Sequence, residues 1–206
     1  MKGLLLKDWY QVKTNMRMMY LTVLAVLAIW ILSTSGDSSF AVNYSAVFLG
    51  IMPAYLLSYD HASGWTEYSF ALPLSKELQV AEKYLVGLLC TAVSAALNGI
   101  FCGIRFWMGK PLPAMPIGLL LGAGAASILL INGIMLPLYY RFGAEKARML
   151  YMLMFAGMGA ALGGGMVLMD AVPESGAAIA IVGVLAAVLA LYAVSWRVSV
   201  AWYGKY

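Results

Sequence analysis

Histidine is almost missing from this chain. His61 is the only one, and there are two cysteines, Cys90 and Cys102. A His-Glu-x-x-His zinc helix needs two histidines on one face, so that class of membrane protease is excluded. A serine–histidine pair would have to use His61. That residue ends an apolar run, where a solvated histidine is the simpler reading. Both cysteines fall inside one later apolar run. Along a single helix they are too far apart to pair, so they read as small apolar packers. Neither a metal-spaced Cys/His cluster nor a P-loop is present; Gly109-Lys110-Pro111 lacks the Ser or Thr that would meet magnesium. The chain therefore reads as a non-enzyme that binds no cofactor itself. Any ATP-driven step would place ATP and magnesium on a partner ATPase.

Charge is scarce as well. Only 11% of the residues are Asp, Glu, Lys or Arg, against about 25% in soluble domains. None stands in the middle of a long apolar run. Proton- and ion-coupled carriers place ionisable groups there, and they show internal repeats that this sequence lacks. The net charge of +4 is spread thinly and gives no nucleic-acid signal.

What is abundant is apolar sequence. Of the 206 residues, 63% are hydrophobic, and the mean hydropathy is +0.85. The runs are continuous rather than alternating, which favours helices over a β-barrel. At about 20 residues per span, about six spans fit in one domain, 1–206. They are expected at about 18–34, 40–59, 84–104, 117–140, 148–169 and 176–196. Residues 2–17 precede them as an interfacial helix. Leu5, Trp9, Val12, Met16 and Met19 form its apolar stripe, with Lys7, Gln11, Thr14 and Arg17 on the other side. Its length and amphipathic character speak against a cleaved signal peptide.

Charge asymmetry orients the spans. The N-terminus, segment 60–84, turn 141–148 and the C-terminal tail share one side with Lys2, Lys7, Lys13, Arg17, Lys76, Lys83, Arg141, Lys146, Arg148, Arg197 and Lys205. The other side holds Arg105 and Lys110. Basic residues stay in the cytosol, so both termini are expected there. Pro53 predicts a kink in the second span. The pairs Gly99/Gly103 and Gly118/Gly122 predict close helix packing, within the chain or between copies. Asn98 and Asn132 should bond across helices or line a pathway.

The long polar interruption, Asp60 to Leu85, sets this chain apart. Gly64 ends a helix, and Trp65 and Tyr68 suit an interface. Leu72-Pro73 forces extended backbone, and Ser75 is a good N-cap. A short helix over 66–71, a break at Pro73 and a helix from about 76 into the third span follow. In the last of these Leu74, Leu78, Ala81 and Leu85 form the apolar stripe, with Lys76, Gln79, Glu82 and Lys83 off it.

The opening MKGLLLKDWYQVK and the stretch SGWTEYSFALPLSKELQVAEKYLVGLL resemble small bacterial ABC-2 type transporter permeases. Gly64, Trp65, Tyr68, Leu72, Pro73, Ser75, Lys76, Lys83 and Tyr84 match that family's pattern between spans two and three; Lys76-Glu77 stands where Arg-Lys is common. The resemblance covers the first 90 or so residues well. It implies an all-α, integral membrane fold with six transmembrane helices, an N-terminal elbow helix and a cytoplasmic coupling helix between spans two and three. It also implies two ATPase subunits, a second permease copy or paralogue, and the bacterial cytoplasmic membrane. The ATPase would dock on Gly64, Trp65, Tyr68, Leu72, Pro73, Leu74, Ser75 and Lys76. The function read is that of a permease subunit of an ATP-driven exporter, and the lack of charge inside the spans points to a hydrophobic or amphipathic cargo, a peptide, drug or lipid. The alternative is a non-transporting immunity or sensory subunit that binds a peptide.

Overall fold

The computed structural model describes residues 2–33, 39–112, 116–169 and 174–203, with side chains 39–43, 119, 144, 148, 151, 153–182, 184 and 185 outside the description. Every regular element among the described residues is helical: α1 (Lys2–Asn15), α2 (Arg17–Leu32), α3 (Ser39–Ala62), α4 (Trp65–Ala71), α5 (Lys76–Trp107), α6 (Ile117–Met169) and α7 (Glu174–Trp202). The connections at 34–38 and 170–173 lie outside the described residues.

Among the described residues two helices are long and apolar enough to cross a membrane, Lys76–Trp107 and Leu120–Gly143, and α1 with α2, bent by 68°, qualify together as a third. The expected second span falls in α3. Most side chains of the expected fifth and sixth spans fall outside the description.

Local chemistry accounts for the boundaries. Gly64 adopts φ 71°, which an L side chain resists, and it stops the chain between α3 and α4. Leu72 is extended ahead of Pro73, as the proline ring requires. Ser75 caps α5, its Oγ accepting from Leu78 N at 3.3 Å. The turn expected over 141–148 shrinks to one residue: Gly143, at φ 76° and ψ 175°, kinks α6. Arg197 belongs to α7 rather than to a tail, and Pro53 lies inside one continuous α3.

The centre of the bundle is built by α3, α5, α6 and α7. Val80, Tyr84, Leu129, Leu136, Val188 and Tyr192 knit α5, α6 and α7, and Val23, Leu27, Phe101, Cys102 and Leu120 join α2 to α5 and α6. In lipid, apolar burial gives helices no driving force towards one another, so close approach and hydrogen bonds matter more. Within the chain, the close approaches fall elsewhere than at Gly99, Gly103 and Gly118. Nothing lies within 4 Å of a Cβ added at Gly99, Gly103 or Gly118. At Gly87 an added Cβ would sit 2.6 Å from Tyr192 Oη, and at Gly50 it would lie 3.4 Å from the Ile128 backbone. Spacing identifies a helix face but not which neighbour covers it. Asn98 is the cross-helix bond that its position suggests: its Nδ2 donates to Ser45 Oγ at 2.8 Å. Asn132 Nδ2 donates within its own helix, to Ile128 O.

Candidate functional site

One end of the bundle gathers α1, the C-terminus of α3, α4, the start of α5, the kink of α6 and the end of α7. Five charged side chains meet there. Lys83 on α5 is 2% exposed. Its Nζ donates to both oxygens of Asp8 on α1 at 2.8 Å and pairs with Asp60 Oδ2 on α3 at 2.7 Å. Lys7 on α1 reaches Asp60 at 2.5 Å and Asp8 at 3.0 Å. Gln11 donates to Asp60 at 3.1 Å. Two cations and two anions therefore balance, and a buried charge is tolerable only when paired in this way.

Glu82 is the odd charge. It is 3% exposed, its Oε1 lies 4.0 Å from Lys83 Nζ, and that oxygen has no hydrogen-bond partner. Burial pushes its carboxyl up from 4.5 to about 7; Lys83 opposes this, and the charge of Asp8 reinforces it. Lys83 itself is held above the usual lysine range, because the carboxylates of Asp60, Asp8 and Glu82 outweigh the burial that lowers it.

A second network ties α4 to the bundle. Tyr203, just past α7, donates from Oη to Gln79 Oε1 on α5, and Ser69 Oγ on α4 lies 3.3 Å from the same Oη. Gln79 Nε2 donates to Ser69 O at 3.3 Å. The Tyr203 ring packs against Phe70 and Tyr140, at 5.3 and 5.2 Å between centroids. Lys7 Nζ lies 4.8 Å from the Trp65 ring centroid, so α1 also touches α4.

The apolar stripe expected on α5 is not its buried face. Gln79, Glu82 and Lys83, expected off the stripe, are buried, whereas Leu74, Leu78, Ala81 and Leu85 are half-buried. Counter-charges from α1 and α3 reverse the local hydropathy. Of the residues expected to meet a partner, Gly64, Tyr68, Pro73, Ser75 and Lys76 are exposed; Trp65, Leu72 and Leu74 are half-buried. Ser75 and Gly64 act as punctuation at helix ends. The sequence reading missed Asp8, Asp60, Gln79, Glu82 and Tyr203 as a set. The only signal was that Asp60 and Lys83 flank spans that end on the same side as Lys7-Asp8.

At the opposite end, Arg105 and Lys110 do not lie free in a loop. Arg105 is fully buried in the last turn of α5 and donates to Trp30 O and, at 2.8 Å, to Pro111 O. Lys110 Nζ donates to Ile31 O and Leu32 O at 2.6 and 2.7 Å. Both satisfy the orphan carbonyls and favour the negative pole at the C-terminus of α2.

A family model described as ABC-2 family transporter protein matches residues 3–204. The chain belongs to that family. It is thus a multi-pass membrane permease of the ABC-2 type, a class of typically non-catalytic transmembrane subunits that works with an ABC ATPase. No curated protein and no solved structure matches it.

Proposed function

We propose that this ABC-2 permease is one half of an ATP-driven exporter with six spans and cytosolic termini. Its cargo is a hydrophobic or amphipathic molecule, and α4 is the helix on which a separate ATPase docks. The observation that carries the reading is the mounting of α4. It is short, it stands at the end of the bundle, and it is braced to α5 and α7 through Gln79 and Tyr203. Tyr68 is 59% exposed, so α4 presents an aromatic residue outward, the residue type that anchors interfaces. The Trp65 ring lies 5.6 Å from that of Tyr68 and is held in turn by Lys7.

Mechanically, a transporter moved from 1:99 to 99:1 between two states needs roughly 5.5 kcal/mol of differential interaction. A floppy loop would absorb it. A braced helix passes motion to α5 through Gln79 and to α1 and α3 through the Lys83 cluster. The substrate path is assigned between two permease copies, with spans two and five as its lining. Two ATPase subunits and two permeases, identical or paralogous, complete the assembly in the bacterial cytoplasmic membrane. The test is ATPase activity of the reconstituted assembly with Tyr68→Asp or Leu74→Asp. Hydrolysis should lose its stimulation by cargo while basal turnover persists. Unchanged stimulation would defeat the reading.

A further inference from the structure

Between α1, α4, the start of α5 and the kink of α6 lies a cavity of about 370 Å³. That is the size range of small-molecule sites, which are mostly apolar with a few placed polar groups. Phe70, Tyr139, Tyr140 and Tyr203 supply aromatic walls, and Glu82 forms part of the lining. The hydrogen-bonding capacity of the other buried charges is largely used: Lys83 on Asp8 and Asp60, and Asp60 on Lys7, Gln11 and Lys83. What is left is one carboxyl oxygen, Glu82 Oε1, buried and without a hydrogen-bond partner.

We infer that this cavity binds a small organic ammonium ion, which donates to the Glu82 carboxylate and lays its apolar body against the rings of Tyr140, Tyr203 and Phe70. Once Glu82 is ionised, the charge count favours a cation. Lys7 and Lys83 neutralise Asp8 and Asp60, so ionised Glu82 leaves the cluster one negative charge in excess. A monovalent ligand cancels it. An anion would meet the carboxyls of Asp60, Glu67 and Glu82 in the lining against a single lysine, Lys83, and a neutral apolar ligand would leave the Glu82 carboxylate unsatisfied. Aromatic faces attract cations through their quadrupoles. The site is a property of this chain alone and does not depend on α4 docking an ATPase. Cation binding favours ionised Glu82, so it releases a proton near neutrality. Among the groups around the cavity, His61 and Glu67 are exposed.

The test is calorimetric titration of the purified full chain with phenethylammonium and with phenethyl alcohol, its uncharged counterpart of the same shape. The ammonium should bind saturably and the alcohol at least about tenfold more weakly. Affinity should rise about tenfold between about pH 6 and about pH 8, as Glu82 ionises. Glu82→Gln should weaken binding by about tenfold at the higher pH and flatten this dependence. His61 is present in both proteins, so their difference reads Glu82. Phe70→Ala leaves the ionic cluster intact and should weaken binding several-fold, which keeps the test decisive if the Glu82 variant does not fold. Equal binding of the alcohol, unchanged affinity in a folded Glu82→Gln protein, or no saturable binding by the wild type would each overturn the inference.

Discussion

Replacing Lys83 by Met removes the cation on which α1, α3 and α5 converge. The residue is 2% exposed and makes three contacts of 2.8 Å or less to Asp8 and Asp60. Removing one partner of a buried ion pair costs about 3–5 kcal/mol, because the remaining charge stays buried. Lys7 touches both carboxylates and is only partly buried, so it takes over some of the neutralisation. The lower end, about 3 kcal/mol, is therefore expected. For a chain of this size that is a fall in Tm of about 6–12 °C, read by thermal unfolding in detergent. Adding Asp8→Asn restores the balance of Lys7 against Asp60. The double variant should then recover about 1–3 kcal/mol relative to the sum of the two single effects. High salt should change little, since screening acts weakly on buried pairs. A Lys83→Met protein within about 0.5 kcal/mol of the wild type, or strictly additive effects in the double variant, would refute the cluster as a structural joint.

Glu82 gives a pH prediction of fixed sign. Its folded-state carboxyl is raised from 4.5 to about 7, so the folded state holds its proton where the unfolded state has lost it. Stability should fall as pH rises from about 4.5 and level off above about 7, by about 3 kcal/mol in all. Glu82→Gln should flatten that slope, as followed by Tm against pH. Gly87→Val should destabilise by about 1–3 kcal/mol, because even a Cβ would lie 2.6 Å from Tyr192 Oη and push that hydroxyl off Tyr84 O; the far more open Gly99→Val should cost under about 1 kcal/mol. Lys110→Ala should destabilise by about 1 kcal/mol through loss of its bonds to the end of α2.

The parts of the fold written in local chemistry could be read in advance. Gly64, Pro73 and Ser75 set off α4 and start α5 close to where the backbone places them, because each acts through its own dihedral or its own cap. Family membership, too, followed from the Leu-Pro-x-Ser stretch and the opening helix. The ionic cluster was not legible. Lys83 and Asp8 are 75 positions apart, and Lys7 and Asp60 are 53 apart. A charged residue in a helical pattern looks solvent-facing until a distant counter-charge is placed beside it. For the same reason Gln79, Glu82 and Lys83 appeared to point outward. Gly99 and Gly103 mark a genuine helix face, but periodicity carries no information on whether another helix of the same chain covers it. Arg105 was expected in a loop because the third span was placed at about 84–104; its burial depends on a carbonyl of α2, that of Trp30, 75 positions away in sequence.

The measurement that bears most directly on the account is co-purification of the detergent-solubilised chain with its cognate ABC ATPase, comparing wild type with Tyr68→Asp, Pro73→Ala and Leu74→Asp. The account predicts a stoichiometric complex that survives with the wild type and is lost with Tyr68→Asp and Leu74→Asp, while all the chains remain folded by their Tm. Failure of the wild type to bind, or full binding by the folded Tyr68→Asp and Leu74→Asp variants, would contradict α4 as the docking helix.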